Sequence, residues 1–246
     1  MYCLKKSIVI IFKVIKLLFT SNQVGITDIC AALLLVFSSS YCDYHDLPLL
    51  ESEYWSDIEA DLYYCLKAVL EWMSPHLASS LLEGFKPSLD KLDLLIKMND
   101  PSLHSWFQEQ QVEPLHFAVR WFLLLMSREF NFECVMRLFD IYFAIGKQFF
   151  MFHVYVCAST LSHFSPMLKC LEFNELLPLL QRLPTADWDV SKIEEIIENA
   201  KLLMKKEEEF AEQILYVVGI PTLSVYLSLY TQFVTYVLYE ASVNKK

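Results

Sequence analysis

The sequence predicts an all-α protein, on three observations. The 246-residue chain holds only four glycines, Gly25, Gly84, Gly146 and Gly219, each more than fifty positions from the next. Sandwiches and barrels consume glycine in their many turns, whereas this chain is rich in Leu and Phe instead. Apolar residues also recur at helical spacing along most of its length. With 55% hydrophobic residues, 20% charged residues and a mean hydropathy of +0.34, the chain can bury a sizeable core. The same glycine scarcity excludes a dinucleotide fingerprint and a P-loop, which need clustered glycines so that backbone can approach a phosphate.

The elements follow in order. Ile8, Ile11, Phe12, Ile15, Leu18 and Phe19 fall on one face of a helix that Lys5, Lys13 and Lys16 largely avoid. This stretch is interrupted by lysines and is shorter than the roughly 20 apolar residues a membrane helix needs, so it reads as an amphipathic core helix. From Asp43 to Asp61 the chain carries acids and no basic residue, which suits a solvated loop leading into a helix or a surface for a basic partner. Asp100-Pro101 is a helix cap followed by proline at the first helical position. Phe117 to Met126, broken only by Arg120, predicts a central helix buried on most sides. Cys134, Val135, Leu138, Phe139, Tyr142 and Ile145 predict an amphipathic helix, and Phe149 to Leu161 another apolar one containing His153. Ser191 with Glu194 reads as a capping box, and Ile193, Ile196, Ile197, Ala200 and Leu203 mark the stripe behind it. Pro166, Pro178 and Pro184 are expected to limit helices rather than sit inside them.

Residues 4–206 therefore read as one helical unit and 207–246 as an apolar tail. From Ile214 to Tyr239 there is no charged residue, and Lys245 and Lys246 close the chain. Residues 214–239 are long enough to span a bilayer, yet they contain Gly219, Pro221 and several hydroxyl residues. A tail anchor and an ordinary packing helix both remain open.

Chemistry-bearing clusters are scarce. The seven cysteines have no C-x-x-C spacing and lie in apolar stretches, as expected of reduced, buried thiols in a cytosolic protein. His116, His153 and His163 have no second ligand placed near them and read as core or surface histidines. Arg120, Arg128 and Arg137, with Glu129 and Asp140, read as ion pairs tying helices together, because a buried arginine without a carboxylate is costly. A net charge of −10 argues against general nucleic-acid binding. No G-x-S-x-G marks a hydrolase.

The run His116-Phe117-Ala118-Val119-Arg120-Trp121, continuing through Met126-Ser127-Arg128-Glu129-Phe130 to Arg137-Leu138-Phe139-Asp140, resembles the signature of the TBC domain. This is the helical domain of Rab GTPase-activating proteins, which tend to read F-A-x-R-W, R-E-F and R-L-W-D. Phe139 stands where the family has tryptophan. Glu59-Ala60-Asp61 with Tyr64-Cys65, Val112-Glu113-Pro114-Leu115, Val154-Tyr155-Val156-Cys157-Ala158 and Leu183-Pro184 are similar to further family segments in the same order. The likeness runs toward the yeast-type Golgi branch.

The resemblance implies a Rab-type small GTPase as partner and two catalytic fingers supplied in trans: an arginine in I-x-x-D-x-x-R and a glutamine in Y-x-Q-G. GTP and magnesium would be carried by the Rab, so no cofactor of the chain's own is expected. Arg120, Arg128, Arg137 and Arg182 all lie outside an I-x-x-D-x-x-R context. Residues 4–19 match the family helix just before the glutamine finger, so the arginine finger is expected to precede Met1 and the TBC domain to lack its N-terminal portion. Gly25-Ile26-Thr27-Asp28 matches the family's G-[IM]-[NS]-D, with Val24 where the glutamine belongs. Gln23, one residue early, is the candidate glutamine finger; at a helix start that shift turns the side chain by about 100°. Asp28 helps hold this loop in the family. The expected function is Rab GAP-like, impaired by the missing arginine, with a non-catalytic scaffold in membrane traffic as the alternative. The expected location is cytoplasmic, including peripheral or tail-anchored attachment to Golgi or other endomembranes.

Overall fold

The computed structural model describes residues 26–42, 54–76 and 81–218. The amphipathic segment 4–19, Gln23 and residues 219–239 of the apolar tail lie outside them. Contacts divide the chain after Ala200.

In the first unit the described elements are all helical. They are α1 (Ile26–Ser38), α2 (Tyr54–Met73), α3 (Leu81–Asn99), α4 (Pro101–Glu109), α5 (Ala118–Leu124), α6 (Phe132–Ile145), α7 (Phe149–Leu168), α8 (Phe173–Gln181) and the start of α9 (Val190–Val218). Short 3₁₀ turns at Ser74–His76, Pro114–His116 and Gly146–Gln148 connect them. α1 packs on α2, α3 on α4 and α7, and α6 on α7, with α5 inserted among α1, α3 and α7.

α7 is the central helix, with 15 of its 20 residues buried. Its polar residues are satisfied locally or across helices. Thr160 Oγ1 donates to Val156 O at 2.8 Å, and Ser159 Oγ to Ile196 O at 3.0 Å. Around it Phe85, Phe122 and Phe150 meet at ring-centroid distances of 5.7–5.8 Å, a range that favours aromatic attraction. The stretch Phe132–Leu168 is long and apolar enough to cross a membrane by composition. Gly146, at φ +71°, breaks it into α6 and α7, and both bury their apolar faces in the domain.

Several local expectations hold. Asp100 Oδ1 accepts the Leu103 N–H at 2.9 Å and caps α4. Ile193, Ile196, Ile197 and Ala200 are fully buried on α9. His153 lies in the core, and Arg120, Arg128 and Arg137 all make ion pairs.

Others need correction. The central helix predicted over Phe117–Met126 is only Ala118–Leu124, because Leu125 and Met126 adopt left-handed φ values of 51° and 61°. Ile145 is exposed at the end of α6. Pro166 and Pro178 sit inside α7 and α8. An interior proline costs about 3 kcal/mol, but each lies within four residues of its helix end and beside buried anchors: Ser165 and Leu168 flank one, Leu176 and Leu180 the other. Ser191 is not the cap of α9. The helix begins at Val190, and Asp189 Oδ1 accepts the Lys192 N–H at 2.9 Å. Among the cysteines, Cys30, Cys134 and Cys157 are buried, Cys42 and Cys65 are half-buried, and Cys170 is exposed.

In the second unit, residues 201–218 continue as helix, Leu202 and Phe210 are exposed, and Lys205 pairs with Glu209 at 3.6 Å.

Candidate functional site

Arg120, Arg128 and Arg137 each reach a carboxylate, and the first two frame a turn that ends at the start of α1. α5 stops at Leu124 because the next two residues turn left-handed. Neither is glycine, so the conformation is held against steric cost by packing, with Leu125 and Met126 both buried. The turn delivers Arg128 to the first turn of α1. There its Nε donates to Asp28 Oδ2 at 2.5 Å and its second nitrogen approaches Oδ1 at 3.5 Å. Asp28 also accepts weakly from Thr27 Oγ1 at 3.5 Å. The hydrogen bond to Asp28, with its charge, holds the Arg128 guanidinium above its usual pKa. An acid in the first helical turn also meets the positive end of the α1 dipole.

The neighbouring residue points the other way. Glu129 is 3% exposed, and burial pushes its carboxyl pKa up against the pull of Arg120. Arg120 donates both to Glu129 Oε1 and to the Gln181 carbonyl at the end of α8. The Glu129 carbonyl accepts from Thr185 Oγ1. One turn therefore locks α5 to the α8–α9 connection through Glu129 and reaches α1 through Arg128. Further along, Arg137 of α6 donates to Glu194 of α9, so Glu194 serves an interhelical pair rather than a cap. Asp140 contributes only a nearby charge to Arg137.

The connection before α9 is wedged in place. The Trp188 ring stacks between Phe130 at 5.4 Å and Phe164 at 5.6 Å, and its carbonyl accepts from Asn131 Nδ2. Beneath the turn, His153 Nε2 donates to Trp121 O at 3.0 Å and Nδ1 accepts the Tyr142 hydroxyl at 2.5 Å. A carbonyl can only accept, so Nε2 carries a proton, and burial keeps the ring neutral so that Nδ1 is left to accept. Burial lowers the His153 pKa to about 4. His153 is a structural histidine joining α5, α6 and α7. His116 accepts the Glu113 N–H at 3.1 Å in a local turn, and His163 packs against Trp188.

Gln23, the candidate finger, lies outside the described residues; Asp28 is the described residue nearest to it in sequence with a charged partner. Arg182 is exposed at the end of α8 and has no ion pair among the described residues. No group of His, Cys, Asp and Glu suited to a metal occurs among the described residues. Sequence reasoning missed that Asp28 and Arg128 pair with each other. A separation of one hundred positions leaves no local signal of it.

Comparison with known proteins adds to this geometry. The Rab-GTPase-TBC domain profile matches residues 12–169. GTPase-activating protein gyp1 of Schizosaccharomyces pombe is 34% identical over 185 residues, covering 72% of this chain and 36% of that protein. Human TBC1 domain family member 22A is 31% identical over 182 residues, covering 72% and 35%. The crystal structure of the Ypt/Rab-GAP domain of Gyp1p superposes with a TM-score of 0.70 at 29% identity, covering 75% of this chain and 60% of that one. The chain thus spans about a third of the length of these curated relatives.

Proposed function

The chain belongs to the Rab-GTPase-TBC domain family, and from that premise we propose that it docks on the GTP-bound form of a Rab-type small GTPase. The observation that carries the proposal is the convergence of the family motifs on the start of α1, through Arg128 and Asp28. The Gly25-Ile26-Thr27-Asp28 segment would thereby be presented at a fixed point, with Gln23 as the glutamine finger just before it. Gln23 would orient the attacking water, while GTP and magnesium arrive with the Rab.

Within this reading the chain recognises a Rab but stimulates hydrolysis poorly. Arg120, Arg128 and Arg137 are committed to Glu129, Asp28 and Glu194. Moving any of them to a γ-phosphate would break those interhelical contacts. This observation also favours a second reading, a helical scaffold that retains Rab contact without nucleotide chemistry. Residues 4–206 are proposed as the partial TBC domain and 207–246 as its tail. A cytoplasmic location on endomembranes, with membrane contact through 214–239, belongs to the same proposal.

Pull-down with a panel of Rabs loaded with GTP or GDP tests it. Retention of at least one Rab in its GTP form supports the reading. Retention indifferent to nucleotide selects the scaffold, and no retention of any Rab sinks both.

A further inference from the structure

A second feature of the first unit shares no residue with the Asp28–Arg128 contact. Between α3 and the corner where α4 turns into Pro114–His116 lies a cleft of about 870 Å³. Its floor is apolar: Leu89, Phe107, Val112 and Pro114 are buried there. Its rim is acidic. Asp90 and Asp93 project from one face of α3, spaced as helical neighbours, and Glu113 stands on the opposite side. The single cation among the described lining residues, Lys86, is held by Asp90 at 3.5 Å.

One polar side chain belongs to the floor. His104 is 9% exposed and lines the cleft. Its Nε2 meets Asp93 Oδ2 at 3.4 Å, and its other ring nitrogen has no partner among the described residues. Gln111 closes the corner in a left-handed conformation, φ 54°.

We propose that this cleft seats a lysine- or arginine-bearing segment of a partner polypeptide. The chemistry of the walls selects that occupant. A basic side chain carries an aliphatic stem and a cationic head, and the cleft offers an apolar floor beneath a rim of two carboxylates that Lys86 does not hold. An acidic peptide would be repelled by Asp90, Asp93 and Glu113, of which Asp93 is met by His104 and Glu113 caps the Pro114–His116 turn. A simple metal cation would gain nothing from Leu89, Phe107 and Val112. The cleft runs along α3 from Lys86 to Asp93, roughly 10 Å at 1.5 Å per residue, enough for about three residues of extended chain.

The probe is a labelled six-residue peptide alternating arginine and leucine, titrated against the full chain by fluorescence anisotropy. Asp93→Asn with Glu113→Gln is expected to weaken binding about tenfold, two exposed charge contacts being lost. Leu115→Lys, which places a cation at the exposed rim, is expected to weaken it comparably and gives an independent reading should the first variant misfold. The same peptide with glutamate for arginine is expected not to bind. Because the chain carries a net charge of −10, Asp187→Asn with Glu133→Gln, both exposed in the first unit and outside the cleft lining, serves as a charge-matched control and should leave affinity unchanged. Equal weakening by the control, or none by the cleft variants, overturns the proposal. Either result leaves the Rab reading standing, since no Rab takes part in the measurement.

Discussion

Asp28 and Arg128 lie one hundred positions apart in sequence and meet at 2.5 Å, the guanidinium spanning both carboxylate oxygens. The contact is half open to solvent: the Arg128 side chain is 49% exposed and that of Asp28 28%. Exposed pairs contribute only about 0–1 kcal/mol to folding, so stability alone does not account for a left-handed turn built to deliver it. Its geometric consequence is larger, because it ties the first turn of α1 to the left-handed turn after α5.

That separation of roles is measurable. Arg128→Ala or Asp28→Ala is expected to lower stability by about 0.5–1 kcal/mol in urea unfolding, while weakening retention of a GTP-loaded Rab at least fivefold. The exchange Asp28→Arg with Arg128→Asp is expected to recover part of that retention. Retention equal to that of the unaltered chain in all three variants would remove the pair from the proposed site.

Glu129 and Arg120 should behave asymmetrically. Arg120→Ala leaves a buried carboxylate without its cation, and losses of about 3–5 kcal/mol follow from such a deletion. Glu129→Gln removes the buried charge while Arg120, 41% exposed, keeps solvent and the Gln181 carbonyl. Chemical denaturation is therefore expected to rank Arg120→Ala well below Glu129→Gln. The reverse order would show that Glu129 is not held by Arg120 in solution.

What was legible in the sequence is what was local. The Asp100 cap spans three residues, and the Ile193–Ala200 stripe repeats every three or four, so both follow from backbone geometry alone. The buried face of α7 was visible as an apolar block interrupted by His153. The choice of ion-pair partners was not legible, because it depends on how a turn aims a side chain. Leu125 and Met126 adopt left-handed φ without the glycine or asparagine that would signal it. For the same reason Arg137 reaches Glu194, 57 positions away, rather than Asp140 one turn along. Pro166 and Pro178 misled because tertiary anchoring outweighed local helix preference.

Acid should loosen the core before it reaches Asp100. The His153 pKa is depressed to about 4 in the fold from an ordinary value near 6.5. The unfolded chain therefore binds the extra proton first. Stability is complete above about pH 6.5 and is lost as pH falls toward 4, by up to about 3 kcal/mol at 1.4 kcal/mol per unit. Asp100 acts lower. Burial opposes its ionisation, but hydrogen bonds from Ser165, Ser102 and the Leu103 N–H and the charge of Lys169 outweigh it and hold the pKa near 2. Its contribution is lost only as pH drops from about 4 through about 2. Urea midpoints at pH 7 and pH 5 check the first step, and His153→Gln should flatten it. An unchanged slope in that variant would assign the acid sensitivity elsewhere.

The last expectation concerns catalysis itself. An arginine finger contributes about 10³ to 10⁵ in GTP hydrolysis, roughly 4 to 7 kcal/mol of transition-state stabilisation. Three of the chain's four arginines are paired within the fold. Releasing Arg120 would strand the buried Glu129 at a cost comparable to the gain, and releasing Arg128 would break its contact with Asp28 in the first turn of α1. Arg182 is unpaired among the described residues, but it is carried at the end of α8, on the side of the network that Arg120 and Glu129 occupy rather than at α1. As the proposed finger, Gln23 would orient water but would add no positive charge where the phosphoryl oxygens develop theirs. A single-turnover assay with any Rab that binds should therefore show no acceleration beyond a few-fold. A rise above about a hundredfold that is abolished by Gln23→Ala would show a working active site. If Arg182→Ala abolished it as well, Arg182 would be the finger, reaching the nucleotide from the end of α8 while the other three arginines hold the helices together.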